Sequence, residues 1–263
     1  MSTPTRAMQP GAEGRRPAFR DVLSSLASAQ KPGAGVPAYM RWVNRRAARP
    51  LAAAAVALGL SANAVSVVSV CVSALALGLL VALPASWWLG VAVAALLALG
   101  FALDSADGQV ARVTRTGSPA GEWLDHVIDA VRTPAIHLAV LVGLFLRPDV
   151  QRGWLVLPLL YTLVSVGIFM SQILAEQLRQ AALGGRPAAV VPSAPAPEGS
   201  GLVRSLALLP TDFGMVCWVF VLWGSAPLFL AGYGLLLLIN GLHFPLSAAR
   251  RFRELRSLGE AKA

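Results

Sequence analysis

The chain has 263 residues, 56% of them hydrophobic and only 13% charged, with a formal net charge of +9. About a quarter of the residues of a soluble domain are charged, so this composition excludes an ordinary water-soluble fold and makes the bilayer the expected solvent. The absence of period-two alternation excludes a transmembrane β-barrel, and no recognition motif links the positive charge to nucleic acid.

Residues 1–36 are rich in Pro, Gly, Ser, Ala and Arg and lack the apolar core of a signal peptide. They read as a disordered basic cytosolic tail, with one short helix at residues 18 to 29. The next stretch, "PAYMRWVNRRAARPLAAAAVALGL" from Pro37, mixes Tyr39, Met40, Trp42 and Val43 with Arg41, Arg45, Arg46 and Arg49. That mixture suits a juxtamembrane helix in the headgroup plane, arginines on lipid phosphate and aromatics dipping inward. Six apolar runs follow, near residues 64 to 83, 87 to 112, 121 to 146, 154 to 178, 206 to 224 and 227 to 248. Each is read as a crossing of the roughly 30 Å hydrocarbon core, which needs about 20 helical residues. The expected fold is therefore an all-α integral membrane protein, six transmembrane helices preceded by an amphipathic juxtamembrane helix. Residues 37–248 form its one domain, 184–201 a flexible cytosolic loop rich in Pro and Ala, and 249–263 a basic cytosolic C-terminus. Cys71 and Cys217 lie inside apolar runs without metal-ligand spacing and read as packing residues.

Charge orients this layout. Nine basic residues fall in the tail and surface helix, and others at Arg112 and Arg115, in the 179 to 204 loop and after Arg250. The loops "LPAS" and "GSAP" carry none. Six crossings with both termini in the cytoplasm place every strongly basic segment on one side, as the positive-inside rule requires. Trp87, Trp88, Trp154 and Trp223 then form a belt at the outer interface.

Against this apolar background, "LDSADGQVARVTRTGSPAGEWLDHVID" holds Asp104, Asp107, Glu122, Asp125 and Asp129, five of the chain's 13 carboxylates. The second run is apolar from Trp87 to Leu103, about 26 Å of helix at 1.5 Å per residue, so Asp104 arrives near the cytosolic boundary. Asp104, Asp107, Gly108, Ala111 and Arg112 share one helix face, and Gly121, Asp125 and Asp129 share a face of the next helix. Four carboxylates in one cleft repel unless cations neutralise them. Hard divalent ions such as Mg²⁺ or Mn²⁺ accept such oxygen ligands, whereas a zinc site would want Cys or paired His. The bland alternative is that the acids pair with Arg112, Arg115 and Arg132 to join helices, but intramembrane charge usually serves function.

"DSADGQVAR", eight residues, then "GEWLDHVID" resembles the signature D-x2-D-G-x2-A-R-x8-G-x3-D-x3-D of the CDP-alcohol phosphatidyltransferase family. Asp104, Asp107, Gly108, Ala111, Arg112, Gly121, Asp125 and Asp129 match its eight defining positions. A weaker likeness covers residues 37 to 248, including "LSANAVSVVS", where Ala62 stands in place of the family's usual proline. The resemblance implies a membrane enzyme of phospholipid synthesis in which a hydroxyl attacks a CDP-linked phosphate and CMP leaves. It implies that Asp104, Asp107 and Asp125 hold two divalent metals, Mg²⁺ or Mn²⁺, and that Asp129 is the general base and also touches a metal. Gly108, Ala111, Arg112, Ser118 and Gly121 would line the CDP site, with Asn63 and Ser66 near the nucleotide. Family members often form dimers, so a homodimer is an expectation, although no dimerisation motif is present. A bacterial plasma membrane is the expected location, with the active site on the cytoplasmic side.

The bottom-up chemistry agrees, because phosphoryl transfer needs charge neutralisation on phosphate oxygens and an aligned nucleophile. The first reading is transfer of a phosphatidyl group from CDP-diacylglycerol to a polar alcohol. The alternative keeps the chemistry but takes a soluble CDP-alcohol as donor and a lipid or inositol phosphate as acceptor. A cation transporter is disfavoured, since the acids cluster at one membrane face, and the intact aspartate set argues against a catalytically dead lipid-binding relative. Arg132 either faces the cleft to bind a phosphate-bearing acceptor or neutralises Asp129 or Asp125. Glu122 and His126 occupy places where the choline and ethanolamine phosphotransferases of eukaryotes also carry Glu and His. They either assist proton transfer or mark an interfacial histidine. Gln172 and Glu176 are candidates for a polar acceptor or mere interface residues. His137 and His243 read as helix-packing hydrogen-bonders, and Asp212 as a helix N-cap.

Overall fold

The computed structural model describes residues 19–28, 37–183, 205 and 208–260. The rest of the expected disordered tail and the 184–201 loop lie outside them. All regular structure among the described residues is helical: α1 Phe19–Ser28, a wide helical turn Met40–Asn44, α2 Arg45–Leu58, α3 Ala62–Ala82, α4 Trp87–Thr114, α5 Pro119–Leu146, α6 Val156–Ala182, α7 Phe213–Val219 and α8 Ala226–Glu260. Five stretches, containing α3, α4, α5, α6 and α8, are long and apolar enough to cross a membrane. The run expected as a fifth of six spans, residues 206 to 224, differs. It breaks into a 3-10 turn Leu209–Thr211, the seven residues of α7 and a five-residue 3-10 turn Phe220–Gly224. Pro210 and the Asp212 cap explain the break: proline restricts the residue before it, and the Asp212 side chain accepts from Gly214 N at 3.0 Å to start α7 afresh.

Serine caps set the other starts. Ser61, Ser86 and Ser118 accept from the amides of Ala64, Leu89 and Gly121 at 3.2, 3.1 and 3.1 Å, opening α3, α4 and α5. Ala62, where the family has proline, is the first residue of α3, a position in which proline's missing amide would cost nothing. The serine cap supplies the start instead. Gly59, at φ 75°, closes α2 in the left-handed conformation that glycine enters without a Cβ penalty.

Small residues let the long helices approach. At the α3–α4 crossing Ser69 Oγ donates to Gly100 O at 2.8 Å, and a Cβ on Gly100 would overlap Ser73 Oγ. The main core, including Leu80, Leu97, Ile136, Val140, Phe220, Trp223 and Phe229, runs along α3, α4, α5 and α8. A second core joins α2 to α4 through Ala48, Ala52, Ala53, Ala106 and Val110, and α1 inserts Val22 and Leu26 into it. The helix expected at residues 18 to 29 is thus a docked element.

Two ends of the bundle can be told apart. At one, Arg147 Nη1 donates to Trp223 O at 2.6 Å and its guanidinium covers the Trp223 ring, tying the end of α5 to the turn that precedes α8. At the other, Arg179 near the end of α6 pairs with Glu254 of α8 at 2.8 Å. Between α6 and α8 the chain therefore returns from the second end to the first, and residues 208–224 make the visible part of that return.

Candidate active site

The last third of α4 and the first half of α5 carry the aspartates. One carboxylate oxygen from each of Asp104, Asp107 and Asp125 falls in a group whose members all lie within 4.8 Å of one another. The i, i+3 spacing of α4 aligns the first two, and Pro119 with the Ser118 cap starts α5 so that Asp125 turns towards them. The donor set fits a hard divalent ion: it consists of carboxylate oxygens alone, brought within 4.8 Å of one another, and Asp104 Oδ1 is buried beside the Arg132 guanidinium. Asp107 is 7% exposed and accepts from Ser66 Oγ on α3.

Arg132 settles against the acids. Its Nη2 lies 3.0 Å from Asp104 Oδ1 and donates to Ser69 Oγ at 2.9 Å, while Nη1 lies 3.5 Å from Asp129 Oδ1. The contact with Asp104 is an ion pair by distance without the alignment of a hydrogen bond. Of the two roles open from sequence, the contacts show neutralisation, and Arg132 also lines the second cavity. Its partners are Asp129, as the sequence allowed, and Asp104, which it did not suggest. Asp129 stands outside the close group of three oxygens.

The aspartates divide between two cavities. A cleft of about 630 Å³ is lined by Asn63, Ser66, Asp107, Gly108, Ala111, Arg112, Ser118, Gly121 and Asp125, with Glu122 and His126 at its rim. Gly121 lets Asn63 close in, since a Cβ there would sit 3.3 Å from Asn63 Oδ1. The second cavity, about 330 Å³, takes Asp104, Asp129 and Arg132 and runs between α4, α5, α6, α7 and α8. A recess of about 240 Å³ under Met40 and Arg45 touches Asp104, Asp107 and Asp125. Burial, then the nearby Arg41, lowers the Arg45 guanidinium from its usual value, though arginine keeps its charge in proteins.

The sequence led to an expectation of four carboxylates in one shared cleft; the structure gathers Asp104, Asp107 and Asp125 and sets Asp129 in a second chamber. The sequence model of the CDP-alcohol phosphatidyltransferase family matches residues 59–238, more than half of the chain. The protein belongs to that family. A comparison with curated proteins gave no match. As a CDP-alcohol phosphatidyltransferase family member it is a transferase of substituted phosphate groups, and the cleft beside its aspartates is where a CDP-alcohol is to be sought.

The remaining candidates scatter. His126 stays beside Glu122 and Asp125, at 3.8 Å from each, and Gln177 reaches Glu122 at 3.4 Å. Glu176 pairs with Arg179 at 2.6 Å, whereas Gln172 lines the second cavity. His137 hydrogen-bonds Tyr233 at 2.7 Å and stacks on Tyr161. Asp212 caps α7 and also accepts from Met40 N at 2.8 Å, pinning residues 37–44 over the site. Sequence reasoning missed Thr133, Tyr161 and Asn240, which also line that cavity. Of these only Thr133 left a signal, one turn beyond Asp129 on the same face.

Proposed function

We propose that this enzyme transfers a phosphatidyl group from CDP-diacylglycerol to a polar alcohol, releasing CMP. The observation that carries the reading is the division of the aspartates. Asp107 and Asp125 face the cleft with the CDP-motif residues, while Asp129 faces a separate chamber that can hold the attacking alcohol. The lipid donor is favoured by the cleft's surroundings. Above it, α3 exposes Val67 and Val68 and α5 exposes Trp123, Val127 and Val131, apolar faces that acyl chains would cover.

In the proposed reaction Asn63, Ser66, Arg112 and Ser118 orient the cytidine and its phosphates, and Asp104, Asp107 and Asp125 would hold two divalent ions, Mg²⁺ or Mn²⁺. Such ions, when bound, neutralise the diphosphate oxygens and stabilise the leaving phosphate. Asp129 accepts the proton of the acceptor hydroxyl as its oxygen forms a bond to the lipid-bearing phosphorus. The bridging P–O bond breaks, and the electron pair leaves with CMP. Arg132 holds Asp104 and Asp129 in place before substrates arrive.

The layout that goes with this reading is six crossings, with the return of residues 208–224 counted as the short fifth, and residues 37–58 lying along the headgroups. Both termini and the site then face the cytoplasm of a bacterial plasma membrane, in keeping with the basic loops. A homodimer and the absence of a nucleic-acid partner are part of the same proposal.

The test is CMP release by purified protein from CDP-diacylglycerol and a panel of alcohols. It should require Mg²⁺ or Mn²⁺ and fall by about 10²–10⁴ in Asp129→Asn. Release from soluble CDP-alcohols alone would transfer the proposal to the other donor class, and metal-independent release would refute the ion-assisted reading.

A further inference from the structure

We infer that the acceptor of this enzyme is an uncharged polyol and not a phosphate ester; the inference rests on the donor reading above and names what the second cavity takes. Asp129 opens into that cavity, so the hydroxyl it deprotonates must sit there. Among the described residues Arg132 is the one cation in its lining, set against three carboxylates, Asp104, Asp129 and Asp212. Arg132 is flanked by acids: its Nη2 donates to Ser69 Oγ and lies 3.0 Å from Asp104, and its Nη1 lies 3.5 Å from Asp129. A phosphate monoester needs charge-assisted donors and would meet carboxylates with, among the described residues, a single guanidinium already set between two of them. Of the described arginines at the same end, Arg179 is engaged with Glu176 and Glu254, and Arg251 with Ser171 and Ser247.

What the chamber offers is neutral hydrogen bonding. Thr133, one turn beyond Asp129, and Gln172, at the mouth on α6, make no hydrogen bond to a described residue. The floor is polar as well but closed on itself: His137 bonds Tyr233, and Asn240 donates to Tyr161 Oη at 3.1 Å and to Leu236 O at 2.8 Å. An acyl chain in the same space would leave the half-buried Thr133 hydroxyl without a partner, which is unfavourable. Phe101, Phe169 and Phe213 give the walls apolar faces that suit the C–H surface of a polyol. The polyol is either free in the cytoplasm or the headgroup of a neutral lipid, and both present the same hydroxyls.

The experiment compares matched pairs, glycerol with glycerol 3-phosphate and inositol with inositol 3-phosphate, together with monooleoylglycerol. The full-length protein in detergent receives CDP-dioleoylglycerol and Mg²⁺, and CMP and the lipid product are measured. In each pair the uncharged member should show at least tenfold higher kcat/KM. Thr133→Val should raise its KM at least fivefold with less than a twofold change in kcat, and Thr133→Ser should restore it. Gln172→Lys, which adds a cation, should shift the preference at least tenfold towards the phosphate ester. A better rate with monooleoylglycerol than with glycerol assigns the polyol to a lipid, the reverse to a soluble compound, and either supports the inference. Preference for the phosphate esters in the wild type, or an unchanged KM in Thr133→Val, overturns it while leaving the donor reading intact. No CMP from any acceptor overturns the donor reading, and this inference falls with it.

Discussion

Replacing Arg132 by methionine removes one guanidinium from between two carboxylates and keeps little more than the aliphatic stem. Breaking a buried ion pair by deleting one partner costs roughly 3–5 kcal/mol, because the charge left behind has lost both water and its counterion. Here the Arg132 side chain is 6% exposed, Asp104 15% and Asp129 33%, so water screens the second pair more than the first. The low end of the range therefore applies. Arg132→Met should lose about 3 kcal/mol in metal-free buffer, on the order of a hundredfold in the folded-to-unfolded ratio. Denaturant unfolding of the detergent-solubilised protein with a chelator present reads this directly. Adding Asp104→Asn removes the stranded charge and should recover at least about 1 kcal/mol as coupling between the two positions. Mg²⁺ at a hundred times its Kd stabilises the wild type by about 2.7 kcal/mol. It should stabilise Arg132→Met more, since Arg132 and the ion compete for Asp104. A metal-free variant as stable as wild type, or a gap that Mg²⁺ leaves unchanged, would refute the reasoning.

Other perturbations have equally definite outcomes. Ser66→Ala strips Asp107 of its hydroxyl donor, so Mg²⁺ affinity measured by calorimetry should fall about 10–100-fold, as for other residues that orient a metal ligand. Gly100→Ala forces a methyl into Ser73 Oγ at the α3–α4 crossing, and should cost about 1–3 kcal/mol in the same unfolding assay. Outside the spans, hydrogen bonds from Arg147 hold the Asp149 carboxyl below its usual value. A lowered folded-state value stabilises above the unfolded pKa of about 3.9 and is lost as pH falls through the folded value. Asp149→Asn should thus cost under about 1 kcal/mol at neutral pH, the Asp149 carboxylate being exposed. That difference should begin to shrink as pH falls below about 4 and vanish below the folded value, where wild type is protonated too.

The aspartate geometry was legible because helix periodicity is local. Asp104 and Asp107 lie on one face by spacing alone, and the Ser-Pro start of α5 fixes where Asp125 falls. The partner of Arg132 was only half legible. Asp129 is three residues away on the same helix, but Asp104 comes from a neighbouring helix whose rotation the sequence does not print. The second chamber was less legible still, since Thr133, Tyr161, Gln172, Asp212 and Asn240 come from separate helices and the segment before α7, with no common spacing. Apolar periodicity found the long helices but gave residues 206 to 224 the length of a full span. Hydropathy averages over a window and does not register that Pro210 and Asp212 restart the helix. In α1 the apolar spacing of Phe19, Val22 and Leu26 marked a helix, yet the composition around it did not show that Val22 and Leu26 would be buried.

Under the proposed function the acids stand as a partition wall between two chambers, so that donor and alcohol have separate doorways. Neither compound must leave before the other arrives, and the new lipid can depart sideways along α3 and α5 without crossing the alcohol's route. Initial-rate plots against both substrates should then intersect, the pattern of a ternary complex, with no enzyme-bound phosphatidyl species to be trapped.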